Sequence, residues 1–414
     1  MVERWRPDGS GRRAALKQAW MAAWAGAAWG GAPVLHAATV SGPARPWRLA
    51  TAWQRLDAAG RPAAWQAAVL GLDEQADEAR LDLLQAHDLP DRAHGLQAGA
   101  DGSVLVVANR PGRWLARLDG QGGHRLHRLE AAGERRTLNG HVLSAPDGRL
   151  WTSETDPRDG RGWIGVRDAQ TLELRASWPL DDGRADGPGI DPHQMVCDAQ
   201  GDLLVAVGGI PRWPDGRRRD AEPLSPGLWR LDGRDGRVLG RWSLADRWLS
   251  LRHLAWSTGE AGAPRLGIAL QAEHARAEDR QAAPLLALFD GAQLRAVDAQ
   301  APRKAAGYAG DIAAAPGGGF VLSGQKAGMA LWWDPSRTVA ADGATAAPAL
   351  RPVAELTEAC ALARLEPADA AVGPGVLIGA ARGLGLWRLQ GPSRLLPWPV
   401  AVLPDNHLVR LADT

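Results

Sequence analysis

Cysteine is nearly absent from this chain of 414 residues, as are tyrosine (one) and phenylalanine (two). Two thiols, Cys197 and Cys360, cannot build a disulfide framework. They fall at different depths of different predicted strands, so both are expected to be free. Neither sign of charge is in excess. A formal net charge of +1 gives no reason to expect nucleic acid or an anionic membrane surface as partner. There is no nucleophile elbow, no phosphate-binding glycine loop and no Cys-x-x-Cys-His. Hydrolase, nucleotide and covalent-haem chemistries therefore have no motif behind them. Long amphipathic heptad runs are missing too, which argues against helical bundles. What is abundant is glycine (50), proline (29) and tryptophan (20), the composition of a turn-rich all-β protein.

The first 38 residues read as an export signal. Paired arginines, Arg12 and Arg13, precede an Ala- and Trp-rich apolar stretch from Ala19 to Ala32. Leu35-His36-Ala37-Ala38 then offers small residues for cleavage. The apolar stretch is too short for a permanent membrane span. The arginine pair resembles a twin-arginine signal, although Ala15 stands where that signal has Phe. The expectation is a periplasmic protein with residues 39–414 as its single folded domain.

Seven segments of that domain start alike, with His94, His141, His193, His253, Asp311, Cys360 and His407 two or three residues ahead of an apolar strand. They recur at intervals of 47 to 60 residues, the period of a four-stranded propeller blade. After each starter come a short strand, a turn such as Pro146-Asp147-Gly148 and a second strand such as Leu150-Trp151-Thr152-Ser153. A third strand ends in Asp (Asp119, Asp168, Asp232, Asp290, Asp334). Each of these aspartates is expected to open a turn by accepting hydrogen bonds from its own downstream backbone. Tryptophan is expected to fill the packing positions between blades.

Closure is legible at the two ends. The last segment, from His407 to Leu411, is one inner strand and nothing more. Three further strands lie at the start: 47–55, 63–72 leading into Asp73, and 81–85. One carboxy-terminal strand plus three amino-terminal strands complete a seventh blade and remove the open edges. The predicted fold is an all-β, seven-bladed β-propeller.

Several runs resemble a family of exported bacterial propellers, domain-of-unknown-function family 1513. They include Leu138-Asn139-Gly140-His141, Asp147-Gly148-Arg149-Leu150, Thr152-Ser153-Glu154-Thr155-Asp156 and Gly160 to Val166. Gly189-Ile190-Asp191-Pro192-His193, Leu204 to Ile210 and Ser250-Leu251-Arg252-His253-Leu254-Ala255 add to them. The resemblance covers roughly Arg48 to Arg410. It implies a seven-bladed propeller related to YVTN and WD-type repeats. It also implies a genomic setting beside imelysin-like proteins and di-haem oxidoreductases in metal-acquisition clusters. It implies no established activity.

In a propeller the starters converge at one mouth of the central channel. Imidazole nitrogen is a ligand for iron, copper, nickel and zinc, and a thiolate or carboxylate can join it. His94, His141, His193, His253, His407, Asp311 and Cys360 are therefore the candidate metal ligands. Arg110, Glu154, Glu273 and Lys326, in loops expected on the same face, are candidates to orient imidazoles or hold an anionic ligand. The charged insertion from Asp215 to Asp220 reads as an exposed loop. The function this suggests is a monomeric, exported metal-binding or metal-handling propeller. It would carry iron or copper and act with imelysin-like or other uptake proteins. Two alternatives stand beside it. One is a metal-dependent oxidoreductase or lactonase-like enzyme at the same mouth. The other is an interaction scaffold whose histidines are structural hydrogen-bond partners, as in many WD-type repeats.

Overall fold

The computed structural model describes residues 47–412, apart from 75–78, 120–121, 186, 220–223, 259–262, 316–317, 339–348, 366–373 and 391–392. The expected export signal over 1–38 lies outside the described residues. Seven four-stranded antiparallel sheets make up the fold. Blades 1 to 6 run consecutively over 93–128, 137–179, 192–242, 249–296, 312–355 and 361–397. In blade 7 the strand Val402–Arg410 pairs with Trp47–Leu56, which is followed outward by Pro62–Asp73 and Arg80–Asp88. The predicted closure is the observed one. Among the described residues no helix is long and apolar enough to cross a membrane.

Each blade's innermost strand touches the innermost strand of both neighbours, and the circuit closes from blade 7 to blade 1. Seven buried apolar clusters lie one at each blade-to-blade boundary. A twisted sheet buries both faces only when stacked on neighbours, so the apolar alternation along each strand is used twice. Trp53, Trp114, Trp151 and Trp387 are fully buried in these boundaries, as the tryptophan-rich composition predicts.

The third-strand aspartates behave as expected. Backbone N–H groups of Gly123, Gln170 and Thr171, Arg234, Ala292 and Gln293, and Ser336 donate to Asp119, Asp168, Asp232, Asp290 and Asp334 respectively. Neither cysteine forms a disulfide.

Candidate metal centre

The five ring histidines share a backbone device. At each of them the inner strand carries extra residues relative to its partner. Ala93 pairs with Ala108 and Leu96 with Val106, so His94 and Gly95 together face one residue. The same break occurs between Leu138 and Val142, Pro192 and Met195, and Leu251 and Leu254. In blade 7 it spans Pro404 to Leu408. A β-bulge bends its strand and re-aims the side chain it carries. Here it turns an imidazole from the blade face to the channel axis. In blades 5 and 6, the two without a ring histidine, the regular ladder begins at Ile312 and Ala361, one residue after Asp311 and Cys360.

The five rings form a closed circuit. Centroid separations are 5.0 Å for His94–His141, 4.4 Å for His141–His193, 4.8 Å for His193–His253, 4.9 Å for His253–His407 and 4.9 Å for His407–His94. His94, His141, His253 and His407 each offer a nitrogen, and those four atoms all lie within 4.8 Å of one another. Nitrogens on opposite sides of one ion, each at about 2.1 Å, stand about 4.2 Å apart. The widest separation must therefore close by up to about 0.6 Å for a planar set, and by more for a tetrahedral one. His193 flanks the group through His141 and His253.

Seven ring nitrogens are buried without a hydrogen-bond partner among the described residues: both of His94, both of His253, Nε2 of His141, Nδ1 of His193 and Nε2 of His407. The Gly310 backbone lies close enough to His253 to favour its charged form slightly, but outside hydrogen-bonding geometry. A buried polar atom left unpaired costs about 1–3 kcal/mol. Seven around one centre are hard to explain as structural histidines, whose role requires those bonds. They are well explained as donors to an ion.

Protonation points the same way. Burial first, and then neighbouring imidazoles and arginines, hold His94, His141, His193 and His253 well below the ordinary histidine range. Burial alone brings His407 to about 4. The ring is neutral at pH 7 and its lone pairs are free to bind. The donors are nitrogens, the set that suits zinc, copper, nickel or iron rather than calcium, which takes oxygen.

The two non-histidine starters are turned to the backbone. Asp311 accepts from its own neighbour Ile312 N at 2.8 Å and from Leu362 N of blade 6 at 2.9 Å, with His407 Nδ1 3.8 Å away. Cys360 Sγ lies 3.4 Å from the Asp405 carbonyl of blade 7 and 3.5 Å from that of Gly379. Burial pushes its thiol up to about 12. Both starters clip one blade to the next, and neither joins the four-nitrogen group.

The loop candidates divide. Arg110 is at the ring: it helps depress the histidines of blades 1 to 4, and its Nη1 is 2.8 Å from Asp191 Oδ1. Glu154 is wholly occupied by Arg136, Arg167 and Thr152, at 2.7–2.8 Å, so it braces blade 2 instead of orienting an imidazole. Glu273 takes Arg218 of the blade 3 insertion at 2.5 Å, and Lys326 Nζ lies 4.4 Å over the Tyr308 ring. The insertion, read as an exposed loop, is tied to blade 4 through this pair.

Sequence reasoning did not single out the polar residues just ahead of the histidines as site residues. Asp191, two before His193, gathers Arg110, Arg212 at 3.2 Å and Arg252 at 2.9 Å. Asp405, two before His407, takes both prongs of Arg92 at 2.9 Å. Asn139, two before His141, donates to the Pro192 carbonyl of blade 3 at 2.9 Å. The available signal was a polar residue two positions before four of the five histidines, Leu251 standing at that place before His253.

The model of a family described as proteins of unknown function, DUF1513, matches residues 87–411. The chain belongs to that family. No curated protein sequence matches this DUF1513 chain. Among solved structures it is similar to Kuenenia stuttgartiensis hydrazine synthase, with 11% identity and a TM-score of 0.53 over 89% of this chain and 100% of that one. It is also similar to a streptogramin B lyase, with 12% identity and a TM-score of 0.50 over 78% and 88%. The periplasmic gluconolactonase PpgL of Pseudomonas aeruginosa is 17% identical, with a TM-score of 0.45 over 75% and 86%. At such identities the likeness is one of fold.

Proposed function

We propose that this protein is an exported metal-binding or metal-handling propeller, accessory to an iron or copper uptake system. His94, His141, His253 and His407 would hold the ion, with His193 beside them. The observation that carries the reading is the convergence of these buried, neutral imidazoles, six of whose eight ring nitrogens have no hydrogen-bond partner among the described residues. A transition ion bound there would supply a Lewis-acidic and redox-capable centre. The chain's own part is to keep the lone pairs unprotonated, fix the rings on bulged strands and exclude bulk water.

Three further elements belong to the same reading. Residues 1–38 direct export, by the twin-arginine route, to the periplasm. Folding before export would allow loading in the cytoplasm. Imelysin-like or other uptake proteins are the partners, and the propeller acts as a monomer. A calcium-dependent lactonase is less well supported, because no carboxylate is part of the four-atom group.

The test is elemental analysis of the full chain purified from its native compartment, beside a His141→Ala/His253→Ala variant. The expected result is about one transition ion per chain in the natural protein and its loss in the variant. Equal content in both, or none in either, sinks the proposal.

A further inference from the structure

Four imidazoles place no negative charge on an ion, and their surroundings add positive charge. Three guanidiniums, from Arg110, Arg212 and Arg252, share the single carboxylate of Asp191. Among the described residues no other acidic group meets any of the three. Arg252 is buried, and its Nε has no partner. Arg110 uses only Nη1, while Arg212 uses Nε on Asp191 and Nη1 on the Gly216 carbonyl. Donors therefore remain on two guanidiniums whose side chains are about a quarter exposed.

Those two arginines line a small cleft, open to solvent, of about 40 Å³. Asn139, Thr155, Asp191 and Trp213 line it with them. No ring histidine lines the cleft, but the chain links the two: Asn139 is two residues before His141 and Asp191 two before His193. Arg110, which lines the cleft, acts electrostatically on four of the five imidazoles. Guanidinium forks match a carboxylate with two parallel hydrogen bonds, and charge-assisted bonds of that kind are about twice as strong as neutral ones. An apolar wall from Trp213 suits the carbon skeleton of a small organic acid.

We propose that this cleft binds a small carboxylate anion, which accompanies the ion at the ring and offsets its charge. The pairing rests on the metal reading above. The anion site itself does not, since its donors and its excess charge are present whether or not an ion is bound. Its substrate class is a metal ion delivered as a carboxylate chelate, in preference to the free aquo ion.

The experiment is calorimetric titration of citrate into the full chain at low ionic strength, once metal-free and once loaded with a transition metal. Arg110→Gln/Arg212→Gln is compared with the natural protein. Arg212→Gln alone serves if the double variant does not fold. Citrate should bind the natural protein in both states, more tightly when metal is present, and at least tenfold more weakly in the variant. Inorganic phosphate should bind more weakly than citrate. Citrate bound equally by natural and variant protein, or by neither, overturns the anion site, as does tighter binding of phosphate. Metal that binds without any effect of citrate overturns this inference and leaves the metal reading intact. Citrate that binds to protein unable to take up metal keeps the anion site and removes the metal reading.

Discussion

Gly140 of blade 2 lies against His94 of blade 1 so closely that a Cβ on Gly140 would be 2.4 Å from the imidazole Cδ2. The glycine also has φ +92°, which L side chains rarely adopt. Gly148, in the next turn of the same blade, has φ +87° with nothing within 4 Å of an added Cβ. The pair separates backbone strain from contact with the ring. Gly148→Ala should cost only the conformational penalty, on the order of 1–2 kcal/mol. Gly140→Ala should cost more and should also displace His94, so that metal stoichiometry falls in this variant alone. Urea midpoints and metal content of the two proteins check it, and equal behaviour contradicts the packing argument.

The architecture was largely open to sequence reasoning because blades repeat. Asp119, Asp168, Asp232, Asp290 and Asp334 recur at one place in the pattern, and the lone strand at His407 asks for three partners at the amino terminus. The ring positions followed from the same register. What the pattern could not show was the bulge. Hydrophobic alternation along Leu249–Thr258 does not reveal that His253 leaves the pairing there, because an inserted residue changes side-chain direction without changing composition. For the same reason Asp311 and Cys360 looked equivalent to the histidines. Their polar atoms turn instead to backbone groups, including those of the next blade.

Acid should destabilise the metal-free protein early. An unfolded histidine takes up its proton near pH 6.5, whereas burial keeps His407 neutral down to about 4, with the other four ring histidines lowered as well. Between these limits the unfolded chain binds more protons than the folded one, so stability is lost as pH falls. The slope is about 1.4 kcal/mol per pH unit for each imidazole held neutral. The surrounding arginines, Arg92, Arg110 and Arg252, oppose protonation of the ring. Urea midpoints measured from pH 7 to 4 should fall steeply in the natural protein and less steeply in His94→Gln/His407→Gln. Parallel slopes would falsify this account.

Asp191 is the carboxylate shared by three guanidiniums that otherwise repel one another. Arg252 and its neighbours hold its carboxyl down at about 2 against the opposing effect of burial. Asp191→Asn removes the charge and leaves Arg252 buried without a counter-ion. Breaking one side of such a buried cluster costs about 3–5 kcal/mol. The loss should appear in the urea midpoint. It should be partly restored by Arg252→Met in the same chain, because the second change removes the buried charge left unpaired.

Glu154 and Cys360 test whether sequence position alone confers a role at the ring. Glu154 accepts from Arg167, whose side chain is fully buried, and that arginine also reaches Glu134 at 2.6 Å. Glu154→Gln should therefore weaken the fold by about 2–4 kcal/mol while leaving metal content at the natural level. Cys360 has a thiol raised by burial and closed in by two carbonyls, so it lacks the thiolate that alkylation and metal ligation both need. Cys360→Ala should keep its full complement of metal. In the native protein a thiol reagent should modify Cys197 and reach Cys360 only on unfolding, which mass spectrometry of the labelled peptides can read directly. Metal loss in either variant would return that residue to the centre.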